Sequence, residues 1–186
     1  MSPDEQELPR EVGEFYDANH KQLFGFLRKM GLNLVDAEDV HNDCFLAISQ
    51  HWHTLRDSNP RAYLYTVARN QLTKRWHERA RKPEDLVGDQ PEVMTTGSEV
   101  ITVDFAQQVV DRESMRGILR EALQKLTVRE REAVLLRYYV ECDVSETAQI
   151  MGIRKGTVKR YSSDGLDKLY CALTGGKPSD TREEGA

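Results

Sequence analysis

The chain has 186 residues, 39% hydrophobic and 31% charged, with a formal net charge of −5, so it suits one mid-sized domain or two small ones with modest cores. Cys44, Cys142 and Cys171 are widely spaced, leave one thiol over from any pairing and form no C-x-x-C unit, which argues against a disulfide-stapled secreted fold or a zinc ribbon and for a reduced, cytosolic setting. No apolar run approaches the ~20 residues of a membrane span, and the N-terminal MSPDEQELPREVGEF is acidic where a signal peptide is basic and then apolar.

Residues 1–9 read as a disordered N-terminus. Phe15, Leu23, Phe24, Phe26, Leu27 and Met30 then recur near a helical period until Gly31 ends the run. Asp36 is the expected N-cap of a second helix through Trp52, with Val40, Phe45 and Ile48 available for packing. After a loop over residues 54–58, Asn59 followed by Pro60 gives an N-cap and a proline at the first helical position. On the resulting helix, NPRAYLYTVARNQLTKRW, Leu64, Ala68 and Leu72 fall on one side, while Tyr63, Thr66, Asn70, Lys74 and His77 fall on the other.

Charge is unevenly spread. Residues 60–82 carry roughly +6 and residues 83–113 roughly −7, the latter with two prolines and no sustained helical period. The first stretch is a basic face interleaved with tyrosines; the second reads as an acidic linker. The chain therefore divides into a helical domain over 10–82, a linker over 83–113 and a second helical domain over 114–174, followed by a polar, disordered tail over 175–186.

In the second domain, Met115, Leu119, Ala122, Leu123 and Leu126 form a helical stripe, and Thr127-Val128-Arg129-Glu130 matches a capping box opening the next helix. Ser145 is the expected cap of a further helix. Ala148, Gly152 and Val158 then fill the three structural roles of a helix-turn-helix: a small residue at the crossing, a turn glycine and an apolar anchor. Thr147 stands where an apolar residue is usual, and Asp164 with Gly165 is expected to interrupt the last helix. Its start presents Arg154, Lys155, Thr157, Lys159 and Arg160, the place from which a recognition helix meets base edges and phosphates.

DAEDVHNDCFLAISQHW followed by NPRAYLYTVARNQLTKRW resembles region 2 of a bacterial sigma factor, and LTVREREAVLLRYYVECDVSETAQIMGIRKGTVKRY resembles region 4. With only a linker between them, the chain is similar to the extracytoplasmic-function (ECF) sigma factors of the sigma-70 family. The resemblance implies an all-α fold of two small domains and a cytoplasmic protein, nucleoid-associated in the holoenzyme. It implies binding to core RNA polymerase (its β and β′ subunits) through Asp36, Glu38, Asp39, Val40 and Asp43, near the clamp helices. It implies recognition of the −10 promoter element by Ser58, Asn59, Arg61, Tyr63, Asn70 and Lys74, with Tyr65 and Trp76 as packing residues. The −35 element falls to Arg154, Lys155, Thr157, Lys159 and Arg160. An anti-sigma factor is a further partner that the family suggests, and the acidic linker is read either as a nucleic-acid mimic inside the polymerase or as a plain tether. The sequence departs from the family at His41-Asn42-Asp43 after DAEDV, and at Arg160-Tyr161-Ser162-Ser163-Asp164 after GTVK. A stand-alone helix-turn-helix regulator would account for the second domain and leave the first unexplained. His41, Cys44, His51 and His53 raise a metal or thiol site as a rival, but no phosphate loop, carboxylate pair or triad order is present. No catalytic residue, metal or cofactor is expected.

Overall fold

In the computed structural model, which describes residues 3–81 and 117–176, all regular structure is helical. The acidic linker, most of the C-terminal tail and Met115 lie outside the described residues. Helix α1 (Pro3–Lys29) starts earlier than expected and takes in residues assigned from sequence to a disordered N-terminus. It ends where Gly31 adopts φ 101°: the amides of Gly31 and Leu32 turn back to the carbonyls of Arg28 and Leu27. This Schellman closure satisfies the last carbonyls of the helix and needs a residue without a Cβ at its left-handed position.

Helix α2 (Leu34–Leu55) starts two residues before the expected cap. Asn33, not Asp36, accepts from the Asp36 amide at 2.8 Å. The Asp36 carboxylate is drawn away to Arg75, 2.6 Å distant. The helix also continues past Trp52, so the loop contracts to residues 56–59. Helix α3 (Pro60–Arg81) begins as the sequence dictates, with Asn59 Oδ1 accepting from the Ala62 amide at 2.9 Å. These helices bury Leu23, Phe26, Leu27, Val40, Cys44, Ile48, Leu64, Tyr65, Ala68 and Leu72 in a shared core, where Phe26 and Tyr65 meet edge to face at 5.3 Å. Each fully buried leucine contributes roughly 1.5–3 kcal/mol.

The second unit comprises α4 (residues 117–124), α5 (Val128–Val134), a π-helical turn (Leu135–Tyr139), α6 (Val144–Met151) and α7 (Lys155–Thr174). Thr127 and Glu130 form the capping box, each bonding the other's backbone amide. At α6 the cap is Asp143 rather than Ser145: its carboxylate accepts from the amides of Ser145 and Glu146, and the Glu146 side chain accepts from the Asp143 amide. A carboxylate two residues upstream reaches both donors, which leaves the serine inside the first turn. Thr147 is fully buried in its apolar surroundings because its hydroxyl donates to the Asp143 carbonyl at 2.7 Å.

Gly152, at φ 62°, closes α6 and turns the chain into α7, with Ala148 and Val158 buried beneath the turn. Helix α7 is not interrupted at Asp164-Gly165. A Cβ on Gly165 would lie 2.6 Å from Cγ2 of Val134 and 3.4 Å from the Glu130 carbonyl, so the glycine is the place where α7 crosses α5 at close range.

Candidate nucleic-acid interface

Helix α7 lays its cationic start on the surface. Arg154, Lys155, Lys159 and Arg160 are exposed and Thr157 half-buried, while Val158 holds the helix to the core from its opposite face. Lys155, Gly156 and Lys159 line an open groove with Asp143, Val144 and Ser145 at the start of α6. The Asp143 carboxyl is held below its usual range chiefly by the Glu146 amide, with the Ser145 amide and the charges of Lys155 and Arg137 adding to the effect. That carboxylate is occupied as a helix cap. The guanidinium of Arg160 lies over the Tyr161 ring, 5.2 Å from its centroid.

Helix α3 carries the second cationic face, and it is divided. Asn70, Lys74 and His77 are exposed along one strip. Tyr63 is half-buried, its ring centroid 6.1 Å from that of His51. Ser58 returns its hydroxyl to the Leu55 carbonyl at 2.9 Å, closing the loop. Nearer the start of α3 the polar groups are engaged by the second unit. Arg61 donates to Gln22 Oε1 at 3.1 Å and to the Val140 carbonyl, and Asn59 Nδ2 donates to Glu146 Oε1 at 3.0 Å. Arg69 is paired with Glu132 at 2.8 Å, where the glutamate side chain is only 4% exposed. Burial pushes the Glu132 carboxyl up, against the pull of Arg69 and Arg129. Tyr65 is wholly buried and Trp76 packs against the core, as expected of packing residues.

The acidic face of α2 lies on the same unit. Glu38, Asp39 and Asp43 are exposed, while Asp36 is partly buried against Arg75, which also reaches Asp39 at 3.5 Å. Val40, expected among these contact residues, is fully buried between the helices and offers no side-chain surface. The apolar side chains that share the exposed strip are Val35, 64% exposed, and Leu46, 57% exposed. Their spacing from Asp39 and Asn42 marks one helical face, a signal available in the sequence had the outward face been phased from the buried Ala37, Val40 and Cys44.

His41 and Cys44, the pair one turn apart on α2, are both buried. His41 is buried among aromatic rings, its centroid 4.9 Å from Phe45 and 6.0 Å from Phe24, and burial lowers its pKa. Burial pushes the Cys44 thiol up to about 12, which removes the thiolate a nucleophile needs. Among the described residues no cluster of His, Cys, Asp and Glu is arranged to hold a metal ion, and no helix is long and apolar enough to cross a membrane.

Comparison with known proteins bears on both units. The family model for Sigma-70 region 2 matches residues 15–82, and that for Sigma-70, region 4 matches residues 116–169. The RNA polymerase sigma-E factor of Streptomyces coelicolor is 30% identical over 161 residues, covering 86% of this chain and 84% of the relative. This chain belongs to the ECF sigma factors of the sigma-70 family. The ECF RNA polymerase sigma factor SigL of Mycobacterium tuberculosis is 28% identical over 146 residues, 77% of this chain and 78% of its own. In fold, the sigma factor RpoE from Bartonella quintana, solved in complex with the anti-sigma factor NepR, superposes with a TM-score of 0.68 at 20% identity, covering 88% of this chain and 97% of that one. As a sigma factor the chain directs RNA polymerase to promoters through regions 2 and 4, and it is not an enzyme. Region 2 corresponds to α1–α3 and region 4 to α4–α7.

Proposed function

We propose that the exposed start of α7 reads the −35 element, that the basic face of α3 beside Tyr63 reads the −10 element, and that α2 docks on core polymerase. The observation that carries this reading is the segregation of charge. Arg154, Lys155, Lys159 and Arg160 stand together on α7 and Asn70 and Lys74 on α3, while Glu38, Asp39 and Asp43 occupy α2 beside the exposed Val35 and Leu46. Cations hold the phosphate backbone and fix register, and flat side chains stack on unpaired bases at roughly 1–3 kcal/mol each, which offsets the cost of opening the duplex. Tyr63 is the stacking residue, Asn70 and Lys74 follow the strand, and Ser58 with Asn59 shapes the loop that receives a base. On α2, the mixture of carboxylates and exposed aliphatic side chains fits a polymerase surface of basic and apolar character, so Val35 and Leu46 join the contact set in place of Val40.

An anti-sigma factor is the further partner in this reading. RpoE was captured with the anti-sigma factor NepR, and CnrH, a second protein of similar fold, with the cytosolic domain of CnrY. The domain limits are 10–82 and 114–174, and the working compartment is the cytoplasm, on the nucleoid when bound to polymerase.

Run-off transcription with purified bacterial core polymerase on fragments of the source genome tests the reading. Transcripts that appear only with this protein and share −35 and −10 sequences are expected. Binding to core without any promoter-specific transcript would overturn the assignment of the two DNA faces, and failure to bind core would overturn the α2 assignment.

A further inference from the structure

We propose that region 4 of this chain is an intramolecular competitor for the −10-reading face, held there by a docking device built on the π-helical turn. The inference rests on the assignment of the start of α3 to the −10 strand.

The device begins with backbone chemistry. The last carbonyls of a helix have no partner within it, and the helix dipole leaves partial negative charge at that end. After the π-helical turn Leu135–Tyr139, the carbonyls of Tyr139 and Val140 are satisfied from region 2: Gln22 Nε2 donates to Tyr139 at 3.0 Å, and Arg61 donates to Val140. Glu141, a non-glycine residue at φ 65°, turns the chain away immediately afterwards. The Tyr139 side chain completes the fit. Its ring lies under Lys29 Nζ, 4.2 Å from the centroid, and its hydroxyl occupies the space above Gly25, where a Cβ would stand 2.0 Å from it. Arg69 with Glu132, Asn59 with Glu146, and Arg131 donating to the Met30 carbonyl at 3.3 Å tie down the rest of the same seam.

The seam covers the start of one DNA face, around Asn59 and Arg61, and spares the other. Asn59 and Arg61 hold region 4 with groups that the −10 strand would need, and region 4 seated on them stands in the path of the strand. The cationic start of α7 stays exposed. The free protein is therefore closed to the −10 strand and open to the −35 duplex, and binding of the −10 strand requires region 4 to leave.

Two variants of the full-length chain open the seam without touching either DNA face: Gly25→Leu, which fills the Tyr139 socket from α1, and Tyr139→Ala, which empties it. Small-angle scattering of the free chain reads the contact without reference to DNA. A compact wild type and more extended variants are expected; a wild type as extended as the variants would overturn the contact. The inhibitory role is read by fluorescence anisotropy with the single-stranded non-template −10 strand of a promoter mapped by run-off transcription. If the closed form outnumbers the open one by about ten to one, the variants bind that strand about tenfold more tightly than wild type, while affinity for the −35 duplex is unchanged. Equal strand affinity despite opened variants would overturn the competition. A different failure belongs to the −10 assignment itself: Lys74→Ala and Tyr63→Ala holoenzymes that open promoters as well as wild type, with the compact scattering intact, would remove the assignment and with it the competition, leaving the contact standing.

Discussion

Replacing Gly165 with alanine sets two effects of opposite sign against each other in the middle of α7. Alanine is favoured over glycine in a helix interior by about 1 kcal/mol. The added methyl would sit 2.6 Å from Cγ2 of Val134, a buried β-branched side chain stiff at χ1, and overpacking of this kind costs roughly 1–3 kcal/mol. The net expectation is a loss of about 1 kcal/mol. Val134→Ala alone removes two methyl groups from the core and costs about 2 kcal/mol. In that background the obstacle is gone, so Gly165→Ala reverses sign and stabilises by about 1 kcal/mol, a coupling of about 2 kcal/mol between the two sites. Native-state hydrogen exchange of α5 and α7 amides measures this in the full-length chain without requiring its two units to unfold together. Stabilisation by Gly165→Ala in both backgrounds would refute the close-crossing argument and return Gly165 to a simple helix weakness.

Buried His41 has its pKa lowered mainly by desolvation, opposed by its contact with Asn42. The unfolded chain therefore takes up the proton first, and stability is lost as pH falls below the ordinary histidine value of about 6.5. Thermal melts at about pH 7.5 and 5.5 should show this loss in wild type and a smaller one in His41→Phe; equal slopes would mean the imidazole is not the group responsible. Thr127→Ala dissolves one half of the capping box before α5 and should cost region 4 about 1 kcal/mol, read as lost protection of α5 amides. Lys159→Ala should weaken −35 duplex binding across sequences and reduce the salt slope by about one; an unchanged slope removes Lys159 from the phosphate contacts.

Features written in a few neighbouring residues were legible in the sequence. Asn59-Pro60, Gly31, Thr127 with Glu130, and Ala148-Gly152-Val158 each carry their own stereochemical reason and stand where that reason puts them. Features that depend on a partner element were not. Gly165 resembles a helix breaker until Val134 is found across from it. The π-helical turn in LLRYY cannot be separated from ordinary helix by periodicity. Asp143 and Ser145 are both good caps, and only the direction of the incoming chain chooses between them. At the candidate site the exposed cations of α7 were readable from spacing alone. The engagement of Asn59 and Arg61 was not, because their partners lie about 80 residues downstream. Val40 was misplaced for a different reason: a family motif names positions without saying which of their side chains face outward.

The order of the helices along the chain gives region 2 a head start during synthesis. Helices α1, α2 and α3 pack on one another in succession, α1 on α2 and α2 on α3, and all three are translated before any of region 4. The Val140 carbonyl that Arg61 holds is translated roughly 60 residues later, some 3–12 s at ordinary elongation rates. Through that interval the basic face of α3 has no region 4 to cover it, beside a ribosome whose surface is made largely of RNA phosphate. Region 4 follows and covers the part of that face around Asn59 and Arg61, so its docking leaves region 2 less adhesive toward nucleic acid than region 2 alone.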